Sequence, residues 1–252
     1  MLFAHVKALK RVINKLVPDI AAALAGIEDG ARIHISGFGN AGNPTDLVHG
    51  LIEQGAKDLT VINNNAGNGH VGLARLLETE HVAKIICSFP RSHDPVVFET
   101  LYRDGKIALE TVPQGTLAER IRIAGVGIGG FYTPTSVGTP LADGKEERVI
   151  DGKRMVLETP LPADYALIKA WKADRWGNLI YRRAARNFAP AMAMAAKTTI
   201  VQVSEIVELG ELEPENVMTP GIFVDRVVHI PDPLDENALF QAELAAREKH
   251  EL

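Results

Sequence analysis

Apolar and polar positions follow two rhythms along this chain, and the change from one to the other locates its elements. Short apolar runs at Ile33 to Ser36, Leu59 to Ile62, Val82 to Ser88, Ile107 to Val112, Ala166 to Ala170, Thr198 to Val203 and Arg226 to Ile230 have the length and make-up of buried strands. Segments of helical period separate several of them. The clearest follows the first run: Pro44 and Thr45 open it, Leu47, Val48, Leu51 and Ile52 share one face, and Gly55 supplies the stop. Strands alternating with helices predict an α/β fold, a mostly parallel open sheet with helices on both faces.

Two stretches break that rhythm. Asp151-Gly152, between Arg148-Val149-Ile150 and Met155-Val156-Leu157, signals a tight turn and predicts an antiparallel hairpin insertion over residues 146–158. Lys169 to Arg183, turning at Trp176-Gly177-Asn178, predicts another. Near the N-terminus, Val12, Ile13, Leu16 and Val17 read as the apolar face of an amphipathic helix interrupted at Pro18, with Lys7, Lys10, Arg11 and Lys15 among them. Residues 237–252 read as a charged helical tail, a solvated terminus. No low-complexity linker or internal repeat divides the chain, so residues 1–252 are expected to form a single domain with hairpin insertions.

In parallel sheets ligands sit beyond the carboxyl ends of the strands. Three polar or glycine-bearing stretches fall there: Gly37 to Pro44, Asn63 to Gly69, and Pro113-Gln114-Gly115. The first joins a strand end to a helix start, and its glycines permit backbone angles and close approaches denied to other residues. A helix N-terminus beside such a turn attracts anions. Gly37, Gly39 and Gly42 also satisfy G-x-G-x-x-G, but a dinucleotide site wants an acidic residue roughly 20 positions later. Asn63, Asn64 and Asn65 follow the next apolar run instead. A turn without a ligand is the bland alternative. Thr116 and Glu119 have the spacing of a capping box, which makes Glu119 a poor catalytic candidate. Gly125, Gly127, Gly129 and Gly130, followed by Phe131 to Thr135, read as an extended loop around a ligand or a partner chain, or as a purely structural one.

Composition narrows the chemistry. The 252 residues are 46% hydrophobic and 23% charged, with a formal net charge of -5, an ordinary globular balance that lacks the basic surface a nucleic acid requires. No apolar stretch is long enough to span a bilayer and no secretory signal is present, so a cytoplasmic setting without membrane attachment is expected. The single cysteine, Cys87, sits in an apolar run and reads as an inert core thiol. The eight histidines are scattered outside any metal-ligand spacing, so no metal is expected. Neither a G-x-S-x-G elbow nor a P-loop occurs. What remains is an amide-rich, glycine-rich site able to hold an oxyanion or carboxylate, with no obvious nucleophile or base. It looks like half of an active site.

Five motifs in order resemble the α subunit of family I coenzyme A transferases of the 3-oxoacid type. They are G-F-G-x-x-G-x-P at Gly37 to Pro44, N-N-A-G at Asn64 to Gly67, P-Q-G-T-L-A-E-R-I at Pro113 to Ile121, F-Y-T-P-T at Phe131 to Thr135, and A-R-N-F at Ala185 to Phe188. Asn63, Cys87 to Arg91 and Asp174 to Leu179 look most like the branch that moves CoA from succinyl-CoA to 3-oxoadipate. An acetoacetate-type acceptor is the alternative within the family.

The resemblance implies covalent catalysis by a glutamate in a Ser-Glu-Asn-Gly motif carried by a β subunit, through enzyme-bound anhydride and thioester intermediates, in an α2β2 assembly. A coenzyme A thioester is then the substrate, and no cofactor is implied. The nearest look-alike here, Ser204-Glu205-Ile206-Val207, lacks Asn-Gly and follows a strand, so Glu205 reads as structural. By position, Gln114 matches the family's oxyanion-pocket glutamine, Asn64 and Asn65 the asparagine pair lining the site, and Gly37, Phe38, Gly39 and Gly42 the glycine-rich turn facing it. Ile123-Ala124, Ser136-Val137 and His70 depart from the family pattern. Arg91, Arg182 and Arg186 are candidates to hold the far carboxylate of a dicarboxylic acceptor, or to form ordinary ion pairs. Two readings from other classes stay open: a nicotinamide-dependent oxidoreductase using Gly37 to Gly42, and a non-catalytic module binding an acyl-CoA or small acid.

Overall fold

The computed structural model describes residues 13–250. In chain order the elements are β1 (Leu16–Val17), α1 (Ile20–Leu24), β2 (Arg32–Ile35), α2 (Thr45–Gln54), β3 (Leu59–Ile62), α3 (Gly72–Glu78), β4 (Val82–Cys87), α4 (Val96–Arg103), β5 (Ala108–Thr111) and α5 (Gln114–Val126). There follow β6 (Phe131–Thr133), β7 (Glu147–Ile150), β8 (Lys153–Glu158), β9 (Ala163–Asp174), β10 (Leu179–Ile180), α6 (Ala189–Met194), β11 (Ala196–Val207), β12 (Arg226–His229) and α7 (Glu236–His250). The main sheet runs β1-β12-β11-β9-β2-β3-β4-β5, parallel at every step, with β10 antiparallel on β9. β6, β8 and β7 form a small antiparallel sheet, so the hairpin expected over 146–158 gains a third strand from the Phe131 segment. Among the described residues no helix is long and apolar enough to cross a membrane.

Both faces of the sheet are buried because alternate strand residues serve different cores. Val61, Ile85, Leu167, Ile200 and Val228 pack with Leu47, Leu51, Leu76, Leu77 and Phe98 of the helices on one face. Ile62, Ile86, Ile168, Val201 and Val227 pack with Leu117, Ile121, Ala189 and Met192 on the other. Cys87 is fully buried, and burial pushes its thiol up to about 12, which makes it inert.

Four local expectations change. Leu16–Val17 is an edge strand rather than part of a helix: Lys15 N–H donates to Arg175 O (2.9 Å), and Val227 N–H donates to Lys15 O (2.8 Å). Four apolar residues before a proline fit either period, and the open edge of β12 decides. Lys7, Lys10, Arg11 and Val12 lie outside the described residues. The capping box does not form, because α5 starts at Gln114 behind Pro113; Thr116 is then inside the helix and Glu119 pairs with Arg122 at 2.8 Å. Gly125 is helical, and the turn waits for Gly127. Glu205 lies within β11, not after a strand, and accepts from Lys172 Nζ at 2.7 Å. Ser136, one of the positions that depart from the family pattern, has φ +75°, a conformation that favours glycine.

One buried histidine ties the fold to pH. His34, in β2, is fully buried with Nε2 3.1 Å from Leu161 O, and burial first, then nearby Arg32, lower its pKa to about 4. The unfolded chain binds this proton below 6.5 and the folded chain only near 4, so stability is lost as pH falls through that window. At roughly 1.4 kcal/mol per unit the loss is about 3 kcal/mol. Urea midpoints measured from pH 7 to pH 4 are expected to fall accordingly, and His34→Gln to flatten the slope; equal slopes would remove His34 as the cause.

Candidate active site

The chain runs outward from the middle of the sheet in both directions. β2 is followed by β3, β4 and β5 on one side, while β9, β11 and β12 build the other. The seam between β2 and β9 is therefore the topological switch point, where a crevice opens beyond the strand ends. The glycine-rich turn Gly37 to Pro44 stands on that seam.

Its shape is fixed from below and from the side. Ser36 Oγ donates to Gly42 O (2.8 Å) and accepts from Lys169 N–H (3.2 Å), tying the turn to β9. Phe38 and Ala41 exchange backbone hydrogen bonds at 3.0 and 3.1 Å, making a tight loop whose tip is Gly39-Asn40. Gly42 has φ +80°, and a Cβ there would lie 2.6 Å from Ala185 O. Asn187 Nδ2 also donates to Ala41 O (2.9 Å), so the Ala185 to Phe188 motif buttresses the turn.

After β3, the asparagine run folds on itself. Asn63 Nδ2 donates to Ile35 O (2.7 Å) and its Oδ1 accepts from Asn65 N–H (2.8 Å), while Asn65 Oδ1 accepts from Gly67 N–H (2.9 Å). Asn64 faces the crevice: its Oδ1 accepts from Ser88 Oγ (2.7 Å) and from Gln114 Nε2 (2.8 Å). Two donors on one oxygen fix the amide, which directs Asn64 Nδ2 elsewhere as a donor. Gln114 is the first residue of α5, so the unpaired first-turn N–H groups of that helix lie beside it. The result is a preorganised set of neutral donors at a helix N-terminus, suited to negative charge developing on a carbonyl oxygen.

These groups line a cavity of about 590 Å³ with Phe38, Gly39, Asn40, Asn65, Asn68, Phe89 and Ser92. Phe38 and Phe89 are exposed at its rim. No lysine, arginine, aspartate, glutamate or cysteine is among the residues that line it. Gln114, Asn64, Asn65, Phe38 and Gly39 thus meet in one place, with Gly37 and Gly42 as the base of the turn. The three arginines stand elsewhere: Arg91 is exposed and pairs with Glu99 (2.9 Å), Arg186 donates to Met218 Sδ (2.8 Å), and Arg182 lies by Trp171 in a neighbouring cavity with Lys169. His70 pairs with Glu78 at 2.8 Å. Sequence reasoning missed Ser92, His93 and the two residues that α7 contributes, Phe240 and Gln241. His93 follows the end of β4, so the strand-end rule that found the other loops reaches it. For α7 the signal was Phe240, with Leu239 and Leu244, in a helix rich in charged and small residues.

Residues 17–229 match the family described as Coenzyme A transferase. The chain is 63% identical over 219 residues, 87% of this chain and 95% of the relative, to one of the subunits of 3-oxoadipate CoA-transferase from Pseudomonas putida. It is 51% identical, over 85% of this chain and 88% of the relative, to the corresponding subunit of succinyl-CoA:3-ketoacid coenzyme A transferase from Xanthomonas campestris pv. campestris strain B100. Among solved structures, glutaconate coenzyme A-transferase from Acidaminococcus fermentans superposes with a TM-score of 0.79 at 21% identity, covering 94% of this chain and 88% of that one. An acyl-CoA transferase from Escherichia coli O157:H7 superposes at 0.77 with 22% identity over 88% of this chain, which spans 48% of that longer chain. The two structural likenesses establish a shared fold, and the sequence matches establish more: the chain belongs to the coenzyme A transferase family.

Proposed function

We propose that this chain is the α subunit of a cytoplasmic 3-oxoacid CoA-transferase that moves CoA from succinyl-CoA to 3-oxoadipate, with the nucleophilic glutamate supplied by a β subunit in an α2β2 enzyme. The observation that carries this reading is the cavity itself: a fixed set of amide donors at the switch point, lined by no carboxylate or thiol among the described residues. The names of the relatives support the donor, the acceptor and the two-subunit form.

In this scheme the partner's glutamate carboxylate attacks the succinyl carbonyl and expels CoA thiolate, leaving a mixed anhydride. The thiolate then attacks the glutamyl carbonyl, forming an enzyme thioester and releasing succinate. The acceptor carboxylate repeats the two steps in reverse and leaves as a new thioester. Each addition places negative charge on a carbonyl oxygen. Gln114 Nε2, Asn64 Nδ2 and the first N–H groups of α5 are the donors for that oxygen, and the turn from Gly37 to Gly42 orients the acyl group.

Thioester exchange from succinyl-CoA to 3-oxoadipate, with acetoacetate in parallel, tests this reading using the chain alone and co-expressed with a partner bearing Ser-Glu-Asn-Gly. Turnover in the mixture only, with preference for 3-oxoadipate, is the expected result. Preference for acetoacetate would move the acceptor to the simple 3-oxoacids. No exchange with either would overturn the reaction, and ligand binding without turnover would then favour a binding module.

A further inference from the structure

The family match ends at residue 229, yet one wall of the candidate site comes from beyond it. α7 begins at Glu236 and lies across the loops that follow β2, β3 and β4. Its first residue is buried: Glu236 Oε1 accepts from Asn43 Nδ2 (2.8 Å) and Oε2 from Thr45 Oγ1 (2.9 Å), which clamps the end of the glycine-rich turn. Asn237 Oδ1 accepts from Asn40 Nδ2 (2.8 Å) at the tip of that turn. Further along, Glu243 Oε2 accepts from His70 N–H (2.9 Å), and Arg247 bridges Glu243 and Asp94, the latter at 2.6 Å. Thus both ends of the helix are fastened, and two of the residues between them, Phe240 and Gln241, line the cavity. Phe240 is buried with its ring edge-on to His93, centroids 6.0 Å apart. Gln241 lines the same cavity.

Of the polar groups there, Asn40, Asn65, Asn68 and Ser92 are engaged with Asn237, Gly67, Asp94 and Gly67 in turn, and His93 stands against Phe240. Gln114, Asn64 and Ser88 are bonded to one another and mark the reacting end. Gln241 belongs to neither that network nor any other side-chain hydrogen bond among the described residues. A carboxylic acid with a second carboxylate needs a donor away from the reacting carbonyl, and no lysine or arginine is among the lining residues. A side-chain amide offers two N–H donors to a carboxylate oxygen.

We infer that α7 is the acceptor-reading wall of this enzyme: Phe240 bounds the carbon chain of the acid and Gln241 donates to its distal carboxylate. This rests on the CoA-transferase reading and names which acids it selects. The residues that choose the acceptor then lie outside the segment shared across the family, while those that perform the chemistry lie inside it.

The test uses the co-expressed two-subunit enzyme with succinyl-CoA as the common donor, so that kcat/KM for each acceptor reports the second half-reaction. Gln241→Glu places a like charge against the distal carboxylate and removes the amide donors. The ratio of kcat/KM for 3-oxoadipate to that for acetoacetate is expected to fall about tenfold or more. Gln241→Ala, which removes the donors without adding charge, is expected to lower the same ratio by a smaller factor. An unchanged ratio in variants that still turn over both acids would overturn the role of α7 alone. Failure of the wild-type enzyme to exchange either acid would overturn the reaction and this assignment together.

Discussion

Gln114→Ala is expected to lower kcat for thioester exchange by about 10²- to 10³-fold, the usual cost of one oxyanion donor, or roughly 3–4 kcal/mol of transition-state stabilisation. The side chain is exposed at the cavity and makes one hydrogen bond, to Asn64 Oδ1, so the fold should survive its removal. Two effects are combined in the loss. A donor to the carbonyl oxygen disappears, and Asn64 keeps only Ser88 to hold its amide. Both act when charge develops, so KM for succinyl-CoA should change much less than kcat. A circular-dichroism melt alongside the kinetics separates chemistry from stability. A kcat within roughly threefold of wild type, with the melt unchanged, would remove Gln114 from the oxyanion pocket.

Gly42→Ala should cost the fold several kcal/mol at the site, about 2–5 kcal/mol from backbone strain and overpacking together. The residue has φ +80°, and an added Cβ would meet Ala185 O at 2.6 Å and Asn187 Nδ2 at 3.0 Å. Left-handed backbone in a residue with a Cβ costs about 1–2 kcal/mol, and forced overpacking typically about 1–3 kcal/mol more. Neither neighbour can retreat cheaply, since one is backbone and the other is bonded to Ala41 O. Gly39→Ala is the internal control. It also has positive φ, +56°, but its Cβ would meet nothing within 4 Å, so only the conformational cost applies. Denaturant unfolding of both variants decides the matter. Equal losses would mean that contact with the Ala185 segment does not matter, and that glycine is needed at position 42 for its φ alone.

Much of this fold was legible because parallel strands carry an unambiguous signal. Seven apolar runs read from the sequence became β2, β3, β4, β5, β9, β11 and β12, and β9 and β11 merely extend further than their apolar centres. The strand-end rule then located Gly37 to Pro44, the asparagine run and Gln114, three loops that do meet. The residues that misled did so for identifiable reasons. Leu16 and Val17 lie in a run too short for period alone to settle, and the neighbouring strand decides. Thr116 and Glu119 have capping-box spacing, but Pro113 starts the helix earlier. The terminal helix reads as solvated because its outer face is charged, yet it is docked: Glu236 and Phe240 are buried, and Asn237, Glu243 and Arg247 bond to the loops beneath. Charge spacing says nothing about direction, which is why Arg91, Arg182 and Arg186 could be proposed together and yet stand apart.

The pairing of β1 with β12 carries a consequence for how the chain is made. β2 to β5 are sequence neighbours joined by single helices, so their half of the sheet can assemble as it leaves the ribosome. Leu16, although synthesised first, pairs with Val227. At ~20 residues per second it waits about ten seconds or more for that partner, and closing so long a loop is a late and entropically costly event. Refolding is therefore expected to leave the N-terminal edge for last, with β12 open to other chains until the first strand arrives.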